Sequence, residues 1–493
     1  MNSLNQQFNV QASEGAQVKL EEPGSVSSQV AKLFDNQKQA FVKQSNPTLE
    51  HRKQSLKSLD RVIRGNIPNI QAAISQDFGH RSGDETLISE VMGSLKAITY
   101  ARKNLKSWMK PRKKKVDITF KPATAKIIPQ PLGVVGIMSP WNFPFGLVIK
   151  PLIAAIAAGN RVMIKPSELT PAVAQLLHDL LLQVFDETEV CVVQGGVDVA
   201  TAFTELPFDH VLFTGSTANG RRVMSAAAKN LTPVTLELGG KSPVFIDDST
   251  NLANATKAIV TGKLLNSGQT CTAPDYVLVP SSRQAEFIKV FSETARSMYA
   301  DPVNNPDFTS IVNDSHYARL QSYLDNARAT GSEIVSVYPE AKSDSSKRKL
   351  VPTIVINPSH ESSIMNEEIF GPILIVVSYD QLKDAVEFVR SRPHPLALYI
   401  FTEDKKVEDY VLENTIAGGV TINDTLLHYT QESLPFGGVG ASGFGAYHGV
   451  AGFDTFSHMK PVFRQSRINS VDLLRAPYTG KSKWLLKNII RIS

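Results

Sequence analysis

The chain has 493 residues, 42% of them hydrophobic and 20% charged, and its 52 Lys and Arg against 47 Asp and Glu give a formal net charge of +5. This length allows two or more domains, and the composition excludes a disordered, collagen-like or repeat protein. The charge excess is too small to indicate a nucleic-acid partner. Only two cysteines occur, so we predict no disulfide framework and a cytoplasmic, reducing location.

The N-terminal stretch 1–26 is polar and contains no Arg, which argues against a secretory signal and a mitochondrial-type presequence. We predict that it forms a disordered tail. The longest apolar run, 146–159, is interrupted by Lys150 and Pro151 and is too short to span a bilayer. We therefore expect no transmembrane helix.

A dense basic cluster at 110–115 follows a helical pattern that ends at Trp108. Such a cluster can bind nucleic acid or an anionic membrane, but a run of like charges is more often a solvated surface segment. We predict a solvated turn here and no nucleic-acid partner.

From about Leu132 the chain alternates apolar β-rich runs with amphipathic helical runs, as a parallel sheet with crossover helices requires. A helix is expected at 172–185, with Thr170 as its N-cap and Pro171 in its first position. Cys191 lies in an apolar strand, which indicates a buried, inert thiol. The predicted strands of this series are 132–138, 161–165, 190–193 and 210–214.

A second alternating series runs from Val244 to about Thr421 and opens with a helical stretch at 252–265. Its predicted strands lie near 276–279, 373–377 and 398–401. The fold class is therefore α/β, with two open parallel-sheet, Rossmann-like domains. Ligand clefts usually form where two domains meet.

The residues next to this junction carry a candidate nucleophile and a candidate base. Glu237 lies in TLELGGKSP (235–243), and Cys271 lies in GQTCTAPDY (268–276). A thiolate can add to an aldehyde, the adduct can lose hydride to a nicotinamide ring, and a carboxylate-activated water can cut the resulting thioester. Because a free Cys with a pKa of ~8.5 is only a few per cent ionised near neutral pH, we expect backbone N–H donors around Cys271 to help form the thiolate.

Asn142 lies in the segment PWNFP (140–144). A neutral amide held between Trp and Phe-Pro can donate to a developing oxyanion, so Asn142 and the backbone N–H of Cys271 are candidate oxyanion donors. The alternative is a surface Asn in a proline-rich turn, which the neighbouring motifs make the less favoured interpretation.

Two further segments are weak signals of cofactor binding when each is taken on its own. The turn GSTANG (215–220) has glycines at its first and sixth positions but lacks the middle Gly of a dinucleotide fingerprint, and such turns are often only tight connections. Lys165 and Glu168 lie where a predicted strand ends, where side chains reach the ligand crevice of a parallel sheet, although they could equally cap a helix start.

Together these motifs resemble the aldehyde dehydrogenase superfamily, and the ending APDY (273–276) resembles its class 3 and coniferyl aldehyde dehydrogenase branch. The resemblance covers about 27–460. It implies two α/β domains with a β-arm for oligomerisation. The implied division is a cofactor-binding domain at 27–115 and 130–236, a catalytic domain at 237–423, the arm and a site-closing C-terminal segment at 116–129 and 424–470, and a basic amphipathic tail at 471–493.

The resemblance also implies the cofactor residues. It assigns Lys165 and Glu168 to the adenine ribose hydroxyls. NAD is ranked first because Glu168 repels a 2′-phosphate, while Lys165 leaves NADP open. The pyrophosphate-facing turn is implied to comprise Gly215, Ser216 and Gly220.

In the same resemblance, Glu368 holds the nicotinamide ribose and Phe370 packs beside the nicotinamide ring. Glu368 is also a rival general base in the class 3 branch, and we favour Glu237 as the base. The chemistry requires no metal, and none is predicted.

The implied function is oxidation of an aldehyde to its acid. Relatives that transfer the acyl group to coenzyme A, or that reduce acyl phosphates, usually lack the hydrolytic Glu, so Glu237 favours water as acceptor. A non-catalytic structural or binding relative is the alternative of another class. Likeness at 77–81 and 445–449 makes coniferaldehyde the leading substrate, with medium- or long-chain aliphatic aldehydes as the alternative.

The partners expected are an aldehyde and a second copy of the chain. The segment 116–129 alternates as an exposed strand would, and an unpaired edge invites association, so a homodimer is predicted. At the C-terminus, Lys483, Lys487 and Arg491 recur at helical spacing beside apolar residues. That helix could lie on a membrane, but packing on the protein or on a partner subunit is favoured.

Overall fold

The computed structural model describes residues 26–469 and 471–492. The strands, in chain order, are β1 (Arg112–Lys114), β2 (Thr124–Pro131), β3 (Val134–Met138), β4 (Arg161–Lys165), β5 (Val190–Val192), β6 (His210–Gly215), β7 (Val234–Leu238), β8 (Ser242–Ile246), β9 (Pro274–Pro280), β10 (Glu333–Ser336), β11 (Thr353–Ile356), β12 (Ile373–Tyr379), β13 (Ala397–Phe401), β14 (Gly419–Ile422), β15 (Gly443–Phe444) and β16 (Ser457–Arg464).

The helices, in chain order, are α1 (Val26–Lys43), α2 (Leu49–Gly65), α3 (Ile67–Phe78), α4 (Gly83–Thr86), α5 (Met92–Trp108), α6 (Gly146–Ala158), α7 (Pro171–Leu182), α8 (Val197–Thr204), α9 (Thr217–Ala228), α10 (Leu252–Leu264), α11 (Gln284–Met298), α12 (Asp314–Ala329), α13 (Ser363–Asn366), α14 (Leu382–Arg390), α15 (Lys405–Asn414), α16 (Gly449–Thr455) and α17 (Gly480–Ile492). A π-helical turn, Leu87–Val91, joins α4 to α5.

The first sheet has the strand order β15-β7-β6-β3-β4-β5. Strands β3 to β7 run parallel, and β15 adds an antiparallel edge. The order reverses between β3 and β6, and ligands of open α/β sheets bind in the crevice at the carboxyl ends of such strands. All four strands predicted for this series are present.

The second sheet has the order β10-β11-β12-β9-β8-β13-β14, with β10 antiparallel and the rest parallel. The predicted pair of open parallel-sheet domains is confirmed. The predicted boundary between residues 236 and 237 falls inside β7, so Glu237 belongs to the first sheet.

The third sheet is antiparallel, in the order β1-β2-β16, and corrects two expectations. The basic cluster is not only a solvated turn, because Arg112–Lys114 pairs with β2 and Arg112 binds Asp454 at 2.7 Å. The alternating segment that begins at Asp117 becomes a strand only at Thr124. Before that it forms a 3₁₀ turn, because Asp117 Oδ1 accepts from the backbone N–H of Thr119 at 2.9 Å.

Two helix starts also differ from expectation. Val26 is already helical, so the predicted tail 1–26 is one residue too long, and residues 1–25 lie outside the described residues. Thr170 precedes α7, but its side chain does not cap the helix. The carboxylate of Asp77, 95 residues earlier in the chain, accepts from the backbone N–H of Ala172 at 3.0 Å and of Val173 at 2.9 Å. A tertiary contact replaces the predicted local cap.

Helix α6 is buried along its whole length, because almost every residue between Leu147 and Ala158 is apolar. It packs against α2, α5 and α16 and behind β3 and β4. The loop from β3 to α6 carries Asn142, so the core of the first domain fixes the position of that loop.

The C-terminal helix α17 follows a 3₁₀ turn, Val471–Leu474, and contacts it. Trp484 is 68% exposed and Ile490 is 74% exposed. The predicted helix at the C-terminus is confirmed. The surface on which this helix packs stays a prediction. Within the described ranges, no helix has both the length and the apolarity that a membrane crossing needs.

Candidate active site

A cavity of about 390 Å³ lies where the carboxyl ends of the first sheet face the second domain. Its size is that of a small-molecule site. It brings together seven of the predicted site residues, namely Asn142, Gly215, Ser216, Glu237, Cys271, Glu368 and Phe370. The other lining residues are Trp141, Leu147, Thr214, Leu238, Gly239, His316, Arg319, Tyr323, Glu367, Leu396, Phe436 and Tyr447.

Glu237 is the penultimate residue of β7 and is only 2% exposed. Neither carboxyl oxygen has a hydrogen-bond partner among the described residues. Burial raises the pKa of Glu237 well above its ordinary value. A buried carboxyl without partners, on the wall of a cavity, is positioned to act on a ligand or water there.

Cys271 faces the same cavity. Burial, followed by the charges of Glu368 and Glu237, raises the pKa of the thiol to about 12, although the backbone N–H groups of Cys271 and Thr272 act in the opposite direction. The expected N–H donors are therefore present. Their lowering effect on the pKa of Cys271 is smaller than the raising effect of burial and of the two carboxylates.

A pH dependence of thiol reactivity follows. Below a pKa of about 12 the thiolate fraction rises tenfold per pH unit, so alkylation of Cys271 by iodoacetamide should accelerate about tenfold per unit from about pH 7 to about pH 10. Mass spectrometry of the modified peptide gives the rate, with free cysteine as the control that levels off. A plateau for Cys271 at the pH where free cysteine levels off would contradict the burial argument.

The turn before Cys271 is strained. Asn266 (φ 52°), Ser267 (φ 51°) and Gly268 (φ 75°) are successive left-handed residues, which only surrounding contacts can hold. The side chain of Gln269 donates to the carbonyls of Asn266 at 2.9 Å and Ser310 at 3.1 Å, and its Oε1 accepts from the backbone N–H of Val312 at 2.9 Å. Sequence analysis missed Gln269, because two of these three partners, Ser310 and Val312, lie about 40 residues later.

Asn142 is fixed to the same turn. Its Nδ2 donates to the backbone carbonyl of Gln269 at 3.1 Å, and the backbone carbonyl of Asn142 accepts from Asn266 Nδ2 at 2.9 Å and Arg81 Nη1 at 3.1 Å. The candidate oxyanion donor and the candidate nucleophile are thus carried by two loops that hydrogen-bond to each other.

Arg81 holds the Asn142 loop through its bond to the Asn142 backbone carbonyl. Sequence analysis did not identify it as a site residue. It is 2% exposed and pairs with Glu90 at 2.9 Å and Glu85 at 3.3 Å. Glu90 Oε2 in turn accepts from the backbone N–H groups of Phe145 and Gly146, both at 2.8 Å. A buried ionic network therefore connects the π-helical turn to the Asn142 loop and the start of α6.

Replacement of Arg81 by Met should destabilise the protein by about 3–5 kcal/mol, because two buried carboxyl groups lose their cation. The free energy of unfolding in urea measures this. The matched control is Arg64→Met, which removes an exposed pair with Asp60 and should cost about 0–1 kcal/mol. Equal losses in both variants would contradict a structural role for the buried network.

Glu368 is held by a second cluster of contacts. Lys241 Nζ donates to the carbonyls of Ile364 at 2.7 Å and Glu367 at 2.9 Å and pairs with Asp275. Asp275 accepts from the backbone N–H of Ile369 at 3.0 Å, so both ends of the Glu368 segment are fixed.

The carboxyl group of Glu368 lies directly over Gly239, where an added Cβ would be 2.0 Å from Oε2. Only glycine allows this approach. Burial raises the pKa of Glu368 to about 8, while the backbone N–H of Gly240 acts in the opposite direction. The ring of Phe370 lies 5.3 Å from that of Trp141 and closes one side of the cavity.

Gly215 ends β6 and Ser216 caps α9, its Oγ accepting from the backbone N–H of Asn219 at 3.3 Å. Both line the cavity, so the N-terminus of α9 opens onto it, an arrangement that fits the pyrophosphate of a dinucleotide. Gly220 lies behind the turn rather than on the cavity wall. An added Cβ there would be 2.6 Å from the side chain of Leu238, so its smallness permits close packing of α9 on β7.

Lys165 is the last residue of β4, the strand next to β3, and Glu168 follows it, and neither residue lines the cavity. Lys165 Nζ pairs with Glu168 Oε2 at 3.0 Å, and the Lys side chain is buried while the Glu side chain is 46% exposed. The two predicted ribose-binding residues therefore form one ion pair with each other at the carboxyl end of β4.

Three lining residues, His316, Arg319 and Tyr323, were missed, although their spacing places them on one face of α12. Burial lowers the pKa of His316 to about 4, so its ring is neutral. The sequence signal that could have identified these residues is their helical spacing, which forms a polar face on α12 in the second domain.

The open parallel α/β sheet with a strand-order reversal, and the cavity at the carboxyl ends of its strands, are the architecture of a dinucleotide-binding protein. The model of the aldehyde dehydrogenase family matches residues 4–462. The chain belongs to the aldehyde dehydrogenase family, whose reaction is the oxidation of aldehydes.

Individual relatives cover nearly the whole chain. It is 50% identical over 455 residues to a Pseudomonas aeruginosa protein described as "Probable coniferyl aldehyde dehydrogenase", a match that covers 92% of this chain and 94% of the relative. The substrate-bound structure of Staphylococcus aureus AldH has a TM-score of 0.88 at 41% identity and covers 93% of this chain and 99% of its own. The structure of PnpE in complex with nicotinamide adenine dinucleotide has a TM-score of 0.81 at 25% identity, covering 90% and 91%. A nicotinamide cofactor is indicated.

Proposed function

We propose that this chain oxidises coniferaldehyde or a related aromatic aldehyde to the acid, with NAD as the preferred cofactor. The observation that carries the proposal is the convergence of Cys271, Glu237 and Asn142 on one cavity. The substrate class is supported by the coniferyl aldehyde dehydrogenase relative and by the rings of Trp141 and Phe436 on the cavity wall.

In the proposed reaction the thiol of Cys271 loses its proton to water, and the thiolate attacks the aldehyde carbon. The carbonyl oxygen gains negative charge, and the amide of Asn142 and the backbone N–H of Cys271 donate to it. Each such donor contributes about 2.7–4 kcal/mol to stabilisation of the transition state. The bond from Asn142 Nδ2 to the Gln269 carbonyl supports this role, because it orients the amide before substrate arrives, and Arg81 holds the backbone carbonyl of Asn142 in place.

When bound, the nicotinamide cofactor supplies the hydride acceptor of the oxidation. Gly215 and Ser216 would hold its pyrophosphate at the start of α9, Glu368 would hold the nicotinamide ribose, and Phe370 would pack beside the ring. The pair Lys165–Glu168 would bind the adenine ribose, and the exposed carboxylate of Glu168 favours NAD over NADP.

The thioester that remains on Cys271 is cut by water. We assign the removal of the proton from this water to Glu237, whose raised pKa makes its carboxylate a stronger base once it is ionised. Glu368 lines the same cavity with a pKa of about 8, and it remains the rival base.

The proposed assembly is a homodimer, in the cytoplasm. Its support is the exposed apolar side chains of the β1-β2-β16 sheet and of the turn between β1 and β2, since Phe463 of β16 is 53% exposed and Ile118 of the turn is 79% exposed. A monomer mass by light scattering at assay concentration would refute the dimer.

The test of the substrate is a progress assay that follows reduced-cofactor absorbance. Coniferaldehyde and a medium-chain aliphatic aldehyde are each offered with NAD and with NADP. A higher kcat/KM for coniferaldehyde with NAD is the expected result. A higher value for the aliphatic aldehyde would move the assignment to fatty aldehydes, and no reduction with a broad aldehyde panel would favour a non-catalytic relative.

A further inference from the structure

Lys150 and Glu432 form a buried ion pair that the reaction proposed above does not use. Their side chains are 4% and 11% exposed, and Lys150 Nζ lies 3.6 Å from Glu432 Oε1. This separation is longer than that of a hydrogen bond. An ammonium has three N–H donors and a carboxylate has about four acceptor sites. Both groups therefore keep hydrogen-bonding capacity for a further polar group.

Two contacts place this ion pair next to the active-site cavity. Leu147 lines the cavity, and Lys150 follows it by three residues, on the same face of α6. The ammonium of Lys150 lies 3.9 Å from the ring centroid of Tyr429, a cation–π contact. Tyr429 packs against Phe436, another residue of the cavity wall, with the ring centroids 4.8 Å apart. The ion pair thus lies just beyond the wall that Leu147 and Phe436 form.

A second, much smaller cavity opens at the ion pair. Its volume is about 10 Å³, and Lys150, Glu432 and His448 are among its lining residues. This is close to the space that a single water or hydroxyl group needs. The side chain of His448 is buried, and neither of its ring nitrogens has a hydrogen-bond partner in the described ranges. Since buried polar groups are normally hydrogen-bonded, this small cavity suits a polar group of a ligand.

Aromatic rings lie between the two cavities. The ring of His448 is 4.6 Å from that of Tyr447, 5.1 Å from that of Tyr429 and 5.5 Å from that of Phe436. Tyr447 and Phe436 also line the larger cavity, which contains Cys271. A ligand that reaches from Cys271 to the ion pair therefore needs an aldehyde at one end, an aromatic middle and a polar group at the far end. A 4-hydroxyphenyl propenal has these three parts in this order.

We propose that Lys150 and Glu432 bind the phenolic hydroxyl of the aromatic aldehyde and select for it. Lys150 Nζ donates to the phenolic oxygen, and the carboxylate of Glu432 accepts from the phenolic O–H. This inference rests on the proposed function, because it requires an aldehyde at Cys271. A site built to bind a hydroxyl discriminates against an analogue without it, since the buried polar groups then stay unpaired.

A pair of substrates that differ only in the hydroxyl tests the inference. We expect the wild type to have a kcat/KM about 10- to 100-fold higher for 4-hydroxycinnamaldehyde than for cinnamaldehyde, the range of a hydrogen bond to a charged group. Lys150→Met should remove most of this preference and leave kcat/KM for cinnamaldehyde within a few fold. Glu432→Gln should reduce the preference as well, and it supplies the same ratio if Lys150→Met does not fold.

The matched control is Lys229→Met. Lys229 is an exposed Lys that pairs with Glu205 on the surface, so its replacement should preserve the preference for the hydroxyl.

The substrate ratio separates recognition from a purely structural role of the ion pair. Loss of packing lowers kcat/KM for both aldehydes together, so an unchanged ratio in Lys150→Met and Glu432→Gln would overturn the inference. Equal kcat/KM values for both aldehydes in the wild type would also overturn it, while aldehyde oxidation itself would stand. If the wild type oxidised neither aldehyde, the proposed function would be wrong and the inference would fall with it.

Discussion

Replacement of Cys271 by Ala is expected to abolish aldehyde-dependent reduction of the cofactor, with a loss of about 10⁶-fold in kcat, the scale seen when a covalent nucleophile is removed. Without the thiol no hemithioacetal forms, and neither Glu237 nor Asn142 can take over bond formation to the carbonyl carbon. The measurement is the coniferaldehyde progress assay at high enzyme concentration.

The chain offers a matched control in Cys191→Ala. Cys191 lies in β5, is 3% exposed and has a pKa raised to about 12 by burial, yet it lies away from the cavity. Its replacement should leave kcat within about twofold, since a buried structural thiol acts only through packing. Equal losses in the two variants would show that the activity depends on packing rather than on the Cys271 nucleophile.

Glu237→Gln is expected to lower the steady-state rate by about 10²–10⁴-fold, the usual contribution of a general base. The substitution keeps the shape of the side chain but removes the proton acceptor for hydrolysis. Thioester formation does not need that acceptor, so rapid mixing should show a first turnover of about one reduced cofactor per active site before the slow phase. Mass spectrometry should find the acyl group on Cys271.

Glu368→Gln is the comparison that assigns the base. If Glu368 only positions the cofactor, this variant should raise the apparent KM for the cofactor and show no burst. A burst with acylated Cys271 in Glu368→Gln, together with near-normal turnover in Glu237→Gln, would transfer the base role to Glu368. Loss of the first turnover in Glu237→Gln would also contradict the proposal, because the carboxylate would then act before hydrolysis.

Periodicity and composition predicted much of the fold. Strand β4 occupies the predicted positions, and α10 ends one residue before its predicted end. These segments follow local rules, since apolar alternation with helical runs fixes a parallel sheet. The same rules failed at 117–123, where the side chain of Asp117 favours a turn that alternation alone does not reveal.

The sequence predicted those site residues whose chemistry follows from their residue type. It could not predict the parts of the site whose geometry depends on contacts with residues far away in the chain. Cys271 and Asn142 stand out by type and neighbours. The left-handed turn at Asn266 depends on partners such as Ser310, and the capping of α7 depends on Asp77, far away in the sequence.

The thiol of Cys271 has a further consequence for the lifetime of the protein. At a pKa of about 12 only about 10⁻⁵ of the sulfur is thiolate near neutral pH. Peroxides oxidise thiolates rather than thiols, so the resting nucleophile should resist conversion to sulfenic and sulfinic acids. Burial beside two carboxyl groups thus protects the protein chemically while no reaction is under way.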